Sequence, residues 1–141
     1  MFKKFFEKRN NDNINNENIL VTALLIHAAK IDNNYTSIEK EIIKKALIGL
    51  NAITPNETEE LLKKAEKIEQ ESNQIIAFTR EIKKNSMEFR LKIIEILWKI
   101  VYSDGTSDNY ESNLIKRVCG LLYVQDKDNA LIKLKVKNFL K

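Results

Sequence analysis

Ile96-Leu97-Trp98-Lys99-Ile100-Val101-Tyr102-Ser103-Asp104-Gly105-Thr106-Ser107-Asp108-Asn109-Tyr110-Glu111 runs an almost wholly apolar segment into an acidic turn. Upstream, the apolar positions continue through Phe89, Ile93 and Ile94. Together they cover nearly every side of a 3.6-residue spiral, which predicts a central, buried helix from Asn85 or Ser86 to Tyr102. Asp104-Gly105 can end that helix, with glycine supplying a left-handed residue. Downstream, Asp108 and Glu111 have the spacing of a capping box, in which the first side chain and the fourth satisfy each other's backbone N–H groups. Leu114, Ile115, Val118, Cys119 and Leu122 then form one stripe on a helix from Asp108 to about Tyr123.

The same pattern occurs 72 residues earlier, where Asp32 stands at the position of Asp104. Leu24, Leu25, Ile26, Ala28 and Ala29 fall on Ile96, Leu97, Trp98, Ile100 and Val101. In the helix after the turn, Ile38, Ile42, Ile43, Ala46, Leu47 and Leu50 fall on Tyr110, Leu114, Ile115, Val118, Cys119 and Leu122. Glu39 falls on Glu111, and Lys44-Lys45 on Lys116-Arg117. The chain thus reads as one helix–acidic turn–helix unit written twice, and we expect two hairpins related by a pseudo-twofold axis.

The remaining punctuation is helical as well. A first helix is expected from about Asn18 to Ile31, apolar nearly all round, and a second from Thr36, capped by the box Thr36–Glu39. Thr54-Pro55-Asn56-Glu57 combines a cap, a proline at the first helical position and a capping-box glutamate, and opens a third helix to about Glu71. A fourth spans about Asn73 to Lys84, and a seventh runs from about Lys127 to the end. Three glycines and one proline leave too little turn chemistry for a meander of strands. The expected fold is therefore all-α, a compact single-domain bundle of about seven helices over residues 18–141, preceded by a tail at 1–17.

Composition narrows the function. With 141 residues the chain can bury roughly 68% of its unfolded surface. A net charge of +4 falls short of the basic stripe of a nucleic-acid binder, so no nucleic acid is expected. A lone cysteine excludes an internal disulfide framework and fits a reducing compartment, making the cytoplasm the expected location. Ile19–Ala29 is too short to span a bilayer, and the acidic, Asn-rich spacer before it argues against a signal peptide. In the tail, Phe2, Phe5 and Phe6 beside Lys3 and Lys4 could touch an anionic membrane surface, such as the inner membrane, or a partner. The alternative is a frayed terminus.

An apolar helix ending in Asp-Gly, an acidic residue after it, Glu three positions on, and then an apolar-stripe helix with a basic pair resembles the TerB-like family of tellurite-resistance and stress proteins. The likeness covers about residues 18 to 141, and the duplication fits it. It implies a compact helical domain, a cytoplasmic protein associated with membrane-linked stress complexes, and acidic turns as candidate divalent-cation sites. Carried over by position, the candidates are Asp104, Asp108 and Glu111, with Asp32 and Glu39 in the first turn. The first turn departs from the pattern, with Asn33 in place of glycine and Thr36 in place of an acid.

A hard cation such as Ca²⁺ takes six to eight oxygen ligands, and the second turn offers three carboxylates with Thr106, Ser107 and Asn109. The spacing is not that of an EF-hand, and no Cys/His set suggests zinc. The same acids can act as helix caps alone, favoured by the helix dipole. His27, the sole histidine, has no nucleophile or second ligand patterned with it and reads as a partly exposed structural residue. Glu95 reads as a solvated-edge residue paired with Lys92 or Lys99, and Cys119 as a small buried apolar group. Lys133, Lys137 and Lys141 line one face of the last helix, a solvated ridge or a site for phosphate or an acidic partner. Without a phosphate loop or nucleophile elbow, the chain is expected not to be an enzyme. The two readings that remain are a stress-type domain binding a divalent cation through the acidic turn, and an adaptor for an unidentified protein partner.

Overall fold

Helices account for all the regular structure among the described residues of the computed structural model. It describes residues 16–31, 35–50, 54–71, 75–104 and 109–139, those at 16, 17, 55, 104 and 109–111 by backbone alone. Among the described residues there are seven α-helices and no strand: α1 (Asn16–Ala29), α2 (Ser37–Gly49), α3 (Thr58–Glu71), α4 (Ile75–Ile82), α5 (Met87–Val101), α6 (Asn109–Leu121) and α7 (Asp126–Phe139). Short 3₁₀ turns precede α3 (Pro55–Glu57) and follow α5 (Tyr102–Asp104). The all-α expectation holds, and none of these helices is long and apolar enough to cross a membrane. The aromatic and basic start expected at Phe2 to Phe6 lies outside the described residues.

Two helices are buried around most of their circumference. On α1, Val21 to Ile26 are all buried, as are Ala28 and Ala29; on α5, Ile93, Ile94, Ile96, Leu97, Trp98, Ile100 and Val101 are buried. Such helices need neighbours on several sides, and α1 packs against α2, α3, α4 and α5, while α5 packs against α1, α2, α6 and α7. Each fully buried Leu or Ile contributes roughly 1.5–3 kcal/mol, so this pair of helices supplies the largest share of the apolar driving force. Thr22 and Thr79 are tolerated inside because each hydroxyl donates to the carbonyl four residues back, Asn18 at 2.7 Å and Ile75 at 2.8 Å.

Local signals set most boundaries. Thr36 and Glu39 form the expected box: the Thr36 N–H donates to Glu39 Oε1 at 2.8 Å and the Glu39 N–H to Thr36 Oγ1 at 3.1 Å. Ser86 caps α5 by accepting from the Phe89 N–H at 3.2 Å. At Thr54 the reading needs adjusting. Glu57 reaches back to the Thr54 hydroxyl at 2.9 Å, but the turn it closes is 3₁₀ and the α-helix begins at Thr58.

Within each half the neighbours agree: α1, α2 and α3 touch one another, and so do α5, α6 and α7. Between the halves they differ, for α2 lies on α5 whereas α6 takes α4 as its further neighbour. The expected pseudo-twofold relation is therefore not reproduced in those inter-half contacts.

Helix α6 stops at Leu121 with Tyr123 in the left-handed region at φ 60°. The Val124 N–H donates to the Cys119 carbonyl at 2.9 Å, the closing bond of a glycine-type C-cap made here by tyrosine. A Cβ in that region costs roughly 1–2 kcal/mol. Tyr123→Gly should thus stabilise the fold by about 1 kcal/mol, read as a rise in Tm of about 3 °C. A fall in Tm would mean that the Lys83 ammonium over the Tyr123 ring, 5.2 Å from its centroid, outweighs the strain.

Candidate functional site

The first turn leaves α1 through Lys30 and Ile31 and enters α2 at Tyr35 and Thr36. Its surroundings are ionic. Glu69 on α3 is only 5% exposed, and it receives Lys30 Nζ at 2.6 Å on one oxygen and His27 Nδ1 at 3.1 Å on the other. One helical turn earlier, Glu66 accepts from the Tyr35 hydroxyl at 2.9 Å and has Lys40 Nζ at 3.8 Å, while the Lys40 ammonium lies 4.8 Å from the centre of the Tyr35 ring. Burial raises the Tyr35 phenol above its ordinary pKa, and the hydrogen bond to the Glu66 carboxylate raises it further. Cations and carboxylates here interlock, pinning the end of α1 and the start of α2 to α3.

Glu69 was not singled out in the sequence, yet a signal was there. Leu61, Ala65 and Glu69 stand at i, i+4 and i+8 on the core-facing stripe of α3, and Leu61 and Ala65 are fully buried. A carboxylate on a core stripe demands a cation. Lys30 supplies that cation, and His27 stands beside it with Nδ1 against the second carboxylate oxygen.

The five candidate cation ligands fare unequally. Asp32 and Asp108 lie outside the described residues, and Asp104 and Glu111 are described by backbone alone. Glu39 is buried, with Oε1 engaged by the Thr36 backbone and hydroxyl, so its carboxylate is part of a helix cap. Among the described residues no group of three or more His, Cys, Asp or Glu could hold a metal ion.

The second feature is an open groove of about 780 Å³ between α2 and α5. Ile38, Ile42, Ala46, Gly49 and Leu50 form one wall; Ile96, Tyr102 and Ser103 form the other, and Phe139 of α7 also lines it. Lys45, Lys92, Glu95 and Lys99 bring charge to its lining. Glu95 is paired, as expected, with Lys99 at 3.3 Å, and also with Lys135 of α7 at 3.4 Å. Lys45 and Lys92 have no carboxylate within ion-pair reach among the described residues.

The internal repeat explains why the groove is apolar. On α6, Leu114, Val118 and Leu122 are buried; their counterparts on α2, Ile42, Ala46 and Leu50, are only partly covered, and Ile38 is 63% exposed. Phe139 is 79% exposed. Three positions of the stripe are thus buried in one copy and only partly covered in the other. Sequence alignment of the two units treats them as equal, because burial depends on which helices arrive from elsewhere.

Of the three lysines expected along one face of α7, one has a packing role. Lys133 stands 4.9 Å from the Trp98 ring centre, and the Trp98 indole N–H donates to Asn129 Oδ1 at 2.8 Å, so both fasten α7 to α5. Lys137 is exposed, and Lys141 lies outside the described residues.

Residues 18–134 match the family model described as Tellurite resistance protein TerB, a span that holds both turns and both walls of the groove, but not Phe139. No curated protein and no solved structure matches the chain.

Cys119 is 1% exposed, and its thiol is pushed up to about 12, chiefly by burial and further by the charge of Asp126. As pH rises past 9 the unfolded thiol ionises first, so the folded state holds more protons and stability falls through the window from 9 to 12. Cys119 should accordingly resist 5,5′-dithiobis(2-nitrobenzoate) at pH 8 in the native protein and react promptly in denaturant. Rapid native labelling would show an accessible thiol.

Proposed function

The chain belongs to the TerB family, and on that premise we propose that it is a non-enzymatic binding domain whose groove between α2 and α5 seats a protein partner. The observation that carries this reading is the uncovered stripe of α2. Three apolar side chains buried in the second copy of the unit are only partly covered in the first, beside the exposed Ile38 and Phe139. A contiguous apolar patch rimmed by charge is the usual mark of an interaction surface. The setting proposed for it is the cytoplasmic side of a stress or tellurite-resistance system, with Phe2, Lys3, Lys4, Phe5 and Phe6 giving peripheral contact with an anionic membrane.

Two glycines allow a matched test. A Cβ at Gly49, in the groove, or at Gly120, on α6, would meet nothing within 4 Å. Benzoylphenylalanine placed at Gly49 should therefore photo-crosslink a discrete protein in the source cells, while the same group at Gly120 should not. Equal labelling from both positions, or none from Gly49, would sink the groove reading.

A cation at the second turn is the second reading, favoured by where that turn begins. Asp104 closes a 3₁₀ turn whose first two residues, Tyr102 and Ser103, line the groove, and α6 restarts at Asn109. Asp104, Asp108 and Glu111 would share a Ca²⁺ or similar ion there, while Asp32 and Glu39 would contribute less because Glu39 serves the cap. Titrating Ca²⁺, Mg²⁺ and Mn²⁺ into the ¹⁵N-labelled chain should shift the amides of Asp104 to Glu111 ahead of those near Asp32. No localised shift up to millimolar metal would dismiss it.

A further inference from the structure

We infer that the occupant of the groove is an acidic amphipathic helix, an inference that rests on the groove reading above and gives the partner its chemistry. The shape argument comes first. Ile38, Ile42, Ala46 and Leu50 succeed one another at four-residue intervals, so the open stripe runs along α2 for about 18 Å. That is three to four helical turns. Near its middle and end the wall is cut down to Ala46 and Gly49, leaving room between α2 and α5 for larger side chains to enter. A helix that presents apolar residues at i, i+3, i+4 and i+7 fits such a trough in the manner of helix-in-groove recognition.

Charge decides which helix. Among the described residues three lysines, Lys45, Lys92 and Lys99, line the groove against one carboxylate, and that carboxylate, Glu95, is already held by Lys99 and Lys135. Lys45 and Lys92 are exposed and face no carboxylate within ion-pair reach among the described residues. Among the described residues, the groove therefore offers unpaired positive charge on both walls. Asp or Glu on either flank of an incoming apolar stripe would complement it, whereas Lys or Arg there would be repelled. The same argument disfavours two occupants from this chain. The segment before α1 carries Lys3, Lys4, Lys8 and Arg9 against Glu7 and Asp12, and a second copy brings a net charge of +4.

The test is a display library of helical peptides with apolar residues fixed at i, i+3, i+4 and i+7 and the flanking positions randomised, panned on the full chain. Recovered peptides should be enriched in Asp and Glu at the flanks, should shift groove amides, and should bind more weakly as salt rises. Lys45→Glu with Lys92→Glu, both on exposed positions and checked for an unchanged Tm, should weaken them about tenfold or more, roughly 1.4 kcal/mol. Peptides that map to the groove with basic flanks or no charge bias overturn the acidic inference and leave the groove reading standing. Groove shifts that grow with the chain's own concentration make a second copy the occupant and overturn it too. If no peptide perturbs the groove, both readings fall.

Discussion

The structure depends on covering two helices that have almost no polar side. Because α1 and α5 are apolar around most of their circumference, water must be excluded from each by several neighbours, and five further helices are arranged to do so. The two meet each other and share α2 as a common neighbour. This one requirement accounts for the placing of α3 and α4 on α1 and of α6 and α7 on α5. It also explains why Thr22 and Thr79 lie inside only with their hydroxyls tied back to the helix that carries them.

A polar constraint acts at the end of that core. Glu69 sits on a stripe that is otherwise Leu and Ala, and a carboxylate 5% exposed is tolerated only with a cation and hydrogen-bond partners against it. Lys30 and His27 meet it from the last turn of α1, while Tyr35 and Lys40 meet Glu66 from the start of α2. The ionic corner fixes where the chain leaves α1 and where it resumes. Glu39, which the family likeness nominates as a cation ligand, serves there as a helix cap.

The groove arises from an asymmetry between two copies of one motif. Where α6 buries Leu114, Val118 and Leu122, α2 leaves Ile42, Ala46 and Leu50 partly open, and Lys45, Lys92 and Lys99 surround the exposed strip with charge. Among the described residues the motif is covered fully in one copy and only partly in the other.

The residues by themselves determined the helical class, the approximate limits of seven helices, the two central ones, the cap at Thr36, the buried thiol of Cys119 and the family likeness. Each of these follows from neighbours within a few positions, such as an apolar period, a hydroxyl before a helix or a glutamate three residues on. Only the tertiary structure decided that Glu69 is buried against His27 and Lys30, that α7 is pinned through Trp98 to α5, and that α2 and α6 differ in exposure. The physical reason is that local signals specify which face of a helix is apolar, whereas what covers that face, and whether anything does, is settled by segments tens of residues away.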